Sequence, residues 1–115
     1  MGFSTLGLYM SEVPLLALCT CPDAATAQRL AATLVDRRLA ACVNVLPGVQ
    51  STYRWQDEVQ TDAEVMLYIK TVPARWEALQ ACLVSEHPYE LPELIGIPLT
   101  TGLPGYLDWI SDATC

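Results

Sequence analysis

ACVNVLPGVQSTYRWQDEVQTDAEVMLYIKT, residues 41–71, decides the fold. Ala41, Val43 and Val45 alternate with Cys42, Asn44 and Leu46, the period of a strand with two unlike faces. Pro47-Gly48 then bends or bulges that strand before it resumes as Val49 to Trp55. Gln56-Asp57-Glu58 reads as a turn, and beyond it Val65, Leu67 and Ile69 alternate with Met66, Tyr68 and Lys70. A strand that leaves through so short a turn pairs antiparallel with the one before it, so the stretch predicts a long hairpin.

The segments on either side frame this hairpin. Val13 to Thr20 is a short, nearly continuous apolar run, which predicts a strand buried on both faces. Asp23 offers a helix cap, and Ala27, Leu30, Ala31, Leu34 and Val35 recur at helical spacing, so the pattern predicts an amphipathic helix over 23–40. After the hairpin, Pro73 suits the first turn of a second helix with Trp76, Leu79, Cys82 and Leu83 on its apolar face. His87-Pro88 ends that helix, because the residue before a proline avoids helical angles. Leu94 to Leu99 alternates again, and Pro98 confines it to a sheet edge or a strand end. Pro104 to Ile110 predicts a short last helix rich in aromatic residues.

The order is β-α-β-β-α-β plus a terminal helix. This is the α+β class, a split βαβ or ferredoxin-like sandwich with helices on one face of an antiparallel sheet. Residues 13–112 are expected to form this one domain and residues 1–12 a flexible N-terminal extension, with Met10 beginning a second plausible start. The chain is 52% hydrophobic and 17% charged, with positive mean hydropathy, which is more apolar surface than a small monomer hides easily. The uncovered sheet face and the hairpin arm call for another subunit as cover.

The formal charge of −7, with basic residues scattered, disfavours a nucleic-acid surface. Neither an apolar run long enough to span a bilayer nor a signal-peptide pattern is present, so membrane insertion is not expected. Five cysteines at 19, 21, 42, 82 and 115 form no regular framework and suit mostly buried thiols in a reducing cytoplasm. No nucleotide loop, HExxH motif, serine elbow or CxxC pair is present, and the chain is expected not to be an enzyme.

The groups of interest are soft or acidic: Cys19 and Cys21 where the first strand ends, and Glu86, His87, Glu90 and Glu93 around the stretch SEHPYELPE, 85–93. A thiolate, an imidazole and a carboxylate together suit copper or zinc. Strand alternation puts both sulfurs on one face, where two cysteines near a strand end are more often core packing than ligands. His87 has its own alternative as a hydrogen-bonding residue in a proline-stiffened loop. Glu90 and Glu93 can equally be surface carboxylates, and the tryptophans and tyrosines core or interface aromatics.

LALCTCPD (16–23), LAACVNVLPGVQSTYRW (39–55), Lys70-Thr71, HPYELPE (87–93) and YLDWI (106–110), in this order and spacing, resemble the CutA divalent-cation tolerance family from about Leu15 to Ile110. The resemblance implies a ferredoxin-like subunit of a homotrimer, involved in the response to copper or another divalent metal ion. It implies a metal set of Cys19, Glu86 and His87, with Cu²⁺ as the candidate ion, not required for folding. Cys21, a variation on the family pattern, either offers a spare thiol as a possible additional ligand, as Glu90 offers a carboxylate, or is inert. In copper-binding members a second histidine stands where this chain has Glu86, so the site should be harder and weaker for copper. Asp57 replaces a usual glycine, and aspartate tolerates the left-handed turn angle. The architecture also resembles the PII-like trimers, which implies a competing role as a regulator binding a small ligand or protein between subunits; a purely structural scaffold is the third reading.

Overall fold

The computed structural model describes residues 13–115, so the expected extension over 1–12 lies outside the described residues. Four strands form one antiparallel sheet in the order β2-β3-β1-β4, where β1 is Leu15–Cys21, β2 Cys42–Trp55, β3 Glu58–Thr71 and β4 Ile95–Pro98. Helix α1 (Ala24–Asp36) and helix α2 (Trp76–Glu86) supply Ala27, Leu30, Leu34, Leu79, Cys82 and Leu83 to a core they share with Ala17, Cys19, Cys21, Val65, Leu67 and Ile69 of the sheet. Helix α3 is Pro104–Ala113. This is the α+β sandwich that the element order implies, with β1 in the middle of the sheet.

Period-two alternation decides which face each residue takes. Cys19 pairs with Leu67 and Ala17 with Ile69, and these inward side chains are fully buried. Burying each of Leu30, Leu34, Leu67, Ile69, Leu79 and Leu83 completely contributes about 1.5–3 kcal/mol before conformational entropy is counted. The expectation that β1 is buried on both faces needs correction for the single chain. Leu16 and Leu18 are only half-buried, and they sit beside Ile97 and Ile95, which are 44% and 51% exposed. The opposite face of the sheet is therefore apolar and incompletely covered.

The predicted hairpin forms in register from Cys42↔Lys70 to Trp55↔Glu58, with a bulge between Leu46 and Val49 where Gly48 takes φ +81°. β1 pairs with β3 only from Val65 to Thr71, so the remainder of the hairpin projects as a two-stranded arm. At its tip both Gln56 (φ 50°) and Asp57 (φ 65°) are left-handed, the two-residue turn sense that matches strand twist.

Asp23 caps α1 through Thr26 N–H at 2.7 Å, as expected. The helix stops at Asp36, not at 40: Arg38 turns left-handed (φ 57°), and the N–H groups of Leu39 and Ala40 return to the Leu34 carbonyl. That reversal drives Leu39 and Ala40 into the core, which a continued helix would prevent. A 3-10 turn at Pro73–Arg75 leads into α2, which ends where His87 turns extended before Pro88. Gly96 of β4 lies under Trp76, where an added Cβ would meet the ring at 2.9 Å. α3 runs past Ile110 to Ala113 because the Arg75 guanidinium donates to the Thr114 carbonyl at 2.7 Å and Thr114 Oγ1 donates back to Ile110.

The arm's turn gives a direct check. Asp57→Gly relieves a left-handed strain of about 1–2 kcal/mol, and a β-branched residue there increases it. Urea titration should show Asp57→Gly at or above the parent's midpoint and Asp57→Val below it.

Candidate metal centre

Two local features bring the site together. β1 ends at Cys21, where Pro22 and the cap Asp23 turn the chain into α1. α2 ends at His87, where Pro88 stops the helix. Residues 19 and 21 point inward from the same face of β1, and the imidazole comes down onto them from the end of α2. The ligand atoms of Cys19, Cys21 and His87 lie within 4.8 Å of one another, and all three residues are buried.

The ring of His87 is held on both sides. Its Nε2 is 2.7 Å from the Thr20 carbonyl, and the Tyr89 backbone N–H reaches its Nδ1 at 3.1 Å. A backbone amide can only donate, so Nδ1 is the acceptor and Nε2 carries the proton given to Thr20. His87 is thus neutral and joins β1, between its two cysteines, to the turn after α2. The reading of His87 as a hydrogen-bonding residue of a stiffened loop describes this geometry. An N–H bond to a backbone carbonyl is also how proteins orient a metal-ligating imidazole.

The two thiols behave as a pair. Hydrogen bonding to Cys21 and then burial push the Cys19 thiol far above the usual range. Hydrogen bonding from Cys19 lowers Cys21, against the opposing effect of burial. The two thiols therefore titrate as one unit, with Cys19 shifted up and Cys21 down.

Glu86 is not brought into this group. Its carboxylate faces Arg29 of α1 at 3.5 Å, and Arg29 also donates to the Glu86 backbone carbonyl at 3.1 Å. Of the expected set, the structure brings Cys19 and His87 together, with Cys21 beside them, and leaves Glu86 outside the group. The physical reason is that α2 carries Glu86 toward α1, where a guanidinium holds it.

Glu90 lies instead on a cleft of about 620 Å³ between the arm, with Tyr53, Trp55 and Glu64, and the loop that holds Tyr89 to Glu93. Glu64 is buried and accepts from Tyr89 Oη at 2.7 Å, a contact that local sequence spacing gives no sign of. Burial first, then this hydrogen bond, raises the Tyr89 phenol above its ordinary value. Tyr53 donates to Asp62 across the arm. Burial, with the Glu64 charge second, raises the Glu93 carboxyl.

Comparison with known proteins decides the family. Residues 15–113 match the model of the CutA1 divalent ion tolerance protein family. The chain belongs to the CutA1 family. It is 46% identical over 94 residues to the divalent-cation tolerance protein CutA of Citrobacter koseri, covering 82% of each chain. The crystal structure of CutA from Xylella fastidiosa superposes with a TM-score of 0.86 at 44% identity, over 89% of this chain and 98% of that one. The divalent cation tolerance protein Cut A1 of Thermus thermophilus gives 0.87 at 40% identity, over 89% and 99%. The resemblance carried by the five sequence motifs is thereby borne out, and so is the fold. CutA1 is a cation-tolerance family, which accords with a cluster of soft ligands at the centre of this chain.

Glu93 supplies the pH test. Its folded-state pKa is raised, so the folded chain binds the proton more tightly than the unfolded chain does. Its stabilising contribution is complete below the ordinary glutamate pKa and is lost as pH rises through the raised value. Denaturation curves across the acid range should show this decline in the parent and a shallower one in Glu93→Gln.

Proposed function

We propose that this CutA1-family chain works in the cytoplasm as a homotrimer that binds copper or another divalent metal ion, with Cys19 and His87 as ligands. One observation carries the reading: a thiol from β1 and an imidazole from the end of α2 lie within 4.8 Å of one another in a buried setting. Sulfur and nitrogen together select the later first-row ions. The fit is good but not free of cost. His87 Nδ1 is engaged by Tyr89 N–H, so a metal bond to that nitrogen exchanges one hydrogen bond for a ligand bond.

Glu86 acts in this reading as the partner of Arg29 that ties α2 to α1, and Glu90 as a wall of the cleft. A surface ion pair of this kind adds little stability, so its role is to direct the carboxylate. We read the chain as a binding protein and not an enzyme, a reading supported by the family, which is one of ion tolerance, and by the closeness of its two buried thiols to an imidazole. Buried free thiols this close to one another support a reducing compartment. Among the described residues no helix is long and apolar enough to cross a membrane.

The trimer reading rests on the incompletely covered sheet face, with Ile95, Ile97 and Tyr68 exposed in the single chain, and on the projecting arm. Surfaces of this kind are covered by identical subunits arranged in closed symmetry. Light scattering at micromolar concentration should give three times the 12.6 kDa chain mass. A monomer there would overturn the trimer.

Anaerobic dialysis of the reduced protein against copper or zinc, followed by metal analysis, should find bound metal in the parent. Cys19→Ala and His87→Ala should each weaken binding by more than the roughly 10–100-fold that loss of an outer partner costs. Retention at the parent's level in both variants would refute the assignment.

A further inference from the structure

We propose that Cys21 is a ligand of this metal site, and that Cys19 and Cys21 hold copper as the monovalent ion between their two sulfurs, with His87 closing the third side. The inference rests on the reading of Cys19 and His87 as a metal site and departs from it in the ion: within that site it names copper in its monovalent state, in preference to a divalent ion, and the ligand that selects it.

The first argument is reach. The two sulfurs are i and i+2 on one strand face and lie no more than 4.8 Å apart. Two metal–sulfur bonds of about 2.3 Å span up to about 4.6 Å, so one ion can bridge them with little or no backbone movement.

Coordination number is the second. The group offers three donors, and the Nδ1 of one of them already accepts from Tyr89 N–H. Among the described residues, Glu86 is turned to Arg29 and Glu64 accepts from Tyr89, and no carboxylate stands in the group of ligand atoms itself. Zinc in a closed site takes four ligands, and oxygen-preferring divalent ions take more. Thiolates suit both zinc and copper(I), and of the two copper(I) is the ion that two or three soft donors satisfy.

Charge balance alone runs the other way. Two thiolates neutralise a divalent ion and leave a monovalent one with a net negative charge in the interior. Coordination decides, because Cys19 and Cys21 are both 0% exposed and, among the described residues, their group with His87 supplies three donors, one fewer than a closed zinc site takes. The copper arrives already reduced, so the protein itself performs no redox step.

The experiment uses the full reduced chain, loaded anaerobically with copper(I) and titrated with a chromophoric copper(I) chelator. X-ray absorption at the copper edge should count two sulfur neighbours. Cys21→Ser should weaken copper(I) binding by more than about 100-fold, beyond what loss of an outer partner costs. An excess of zinc should leave the parent's copper in place. One sulfur neighbour or none, copper(I) retained at the parent's affinity by Cys21→Ser, or displacement by zinc would each overturn the inference. The absorption measurement on the parent decides the matter if the serine variant does not fold. Copper held through one sulfur, lost in Cys19→Ala and kept in Cys21→Ser, would sink this inference while leaving the metal-site reading intact. Failure of the parent to take up any metal would sink both.

Discussion

The antiparallel register of β1 between β3 and β4 is the constraint on which the rest of this molecule depends. β1 is paired on both sides, with Leu15↔Thr71 through Cys21↔Val65 on one edge and Leu15↔Pro98 through Leu18↔Ile95 on the other. A slip by one residue would exchange the faces of the whole strand. Leu16 and Leu18 would then turn toward the helices and Cys19 and Cys21 away from His87. The same alternation that buries Ala17 therefore places the sulfurs, and the site has no separate scaffold. β1 then ends at Cys21, and the cap at Asp23 starts α1 immediately afterwards, which leaves the Thr20 carbonyl where His87 Nε2 can reach it.

This economy carries a cost on the far side of the sheet. Inward positions are filled by Ala17, Cys19 and Cys21, which are small, against the large Leu30, Leu34, Leu79 and Leu83 of the helices. The outward positions carry Leu16, Leu18, Ile95, Ile97 and Tyr68, of which the last three are exposed in a single chain. A sheet with one face packed by helices and an apolar second face leaves that second face without full cover in the single chain. The 52% hydrophobic composition, high for a chain of 115 residues, is explained by that second face.

Much of the fold was legible because its signals are local. Asp23, the Pro47-Gly48 bulge, the Asp57 turn, the His87-Pro88 stop and the edge proline Pro98 each act through their own backbone, and the structure has each where the sequence placed it. The end of α1 was not legible, because the left-handed residue that closes it is Arg38 and not the glycine or asparagine that usually marks a cap. The extension of α3 to Ala113 depends on Arg75, far away in the chain, holding the Thr114 carbonyl.

The same division separates what could be read in the site from what could not. Cys19 and Cys21 share a face by strand geometry, which spacing alone supplies. The partner of Glu86 is Arg29, 57 residues earlier, and no spacing rule within SEHPYELPE contains it. Softness was expected to fall because a carboxylate stands beside His87. Once the carboxylate is turned to a guanidinium, the atoms facing the imidazole are two sulfurs. Residue adjacency in sequence and adjacency in space give opposite predictions for the hardness of this centre. The spatial one governs, because the softness a group of side chains offers is set by the donor atoms that stand together, here two sulfurs and an imidazole nitrogen, and not by their order along the chain.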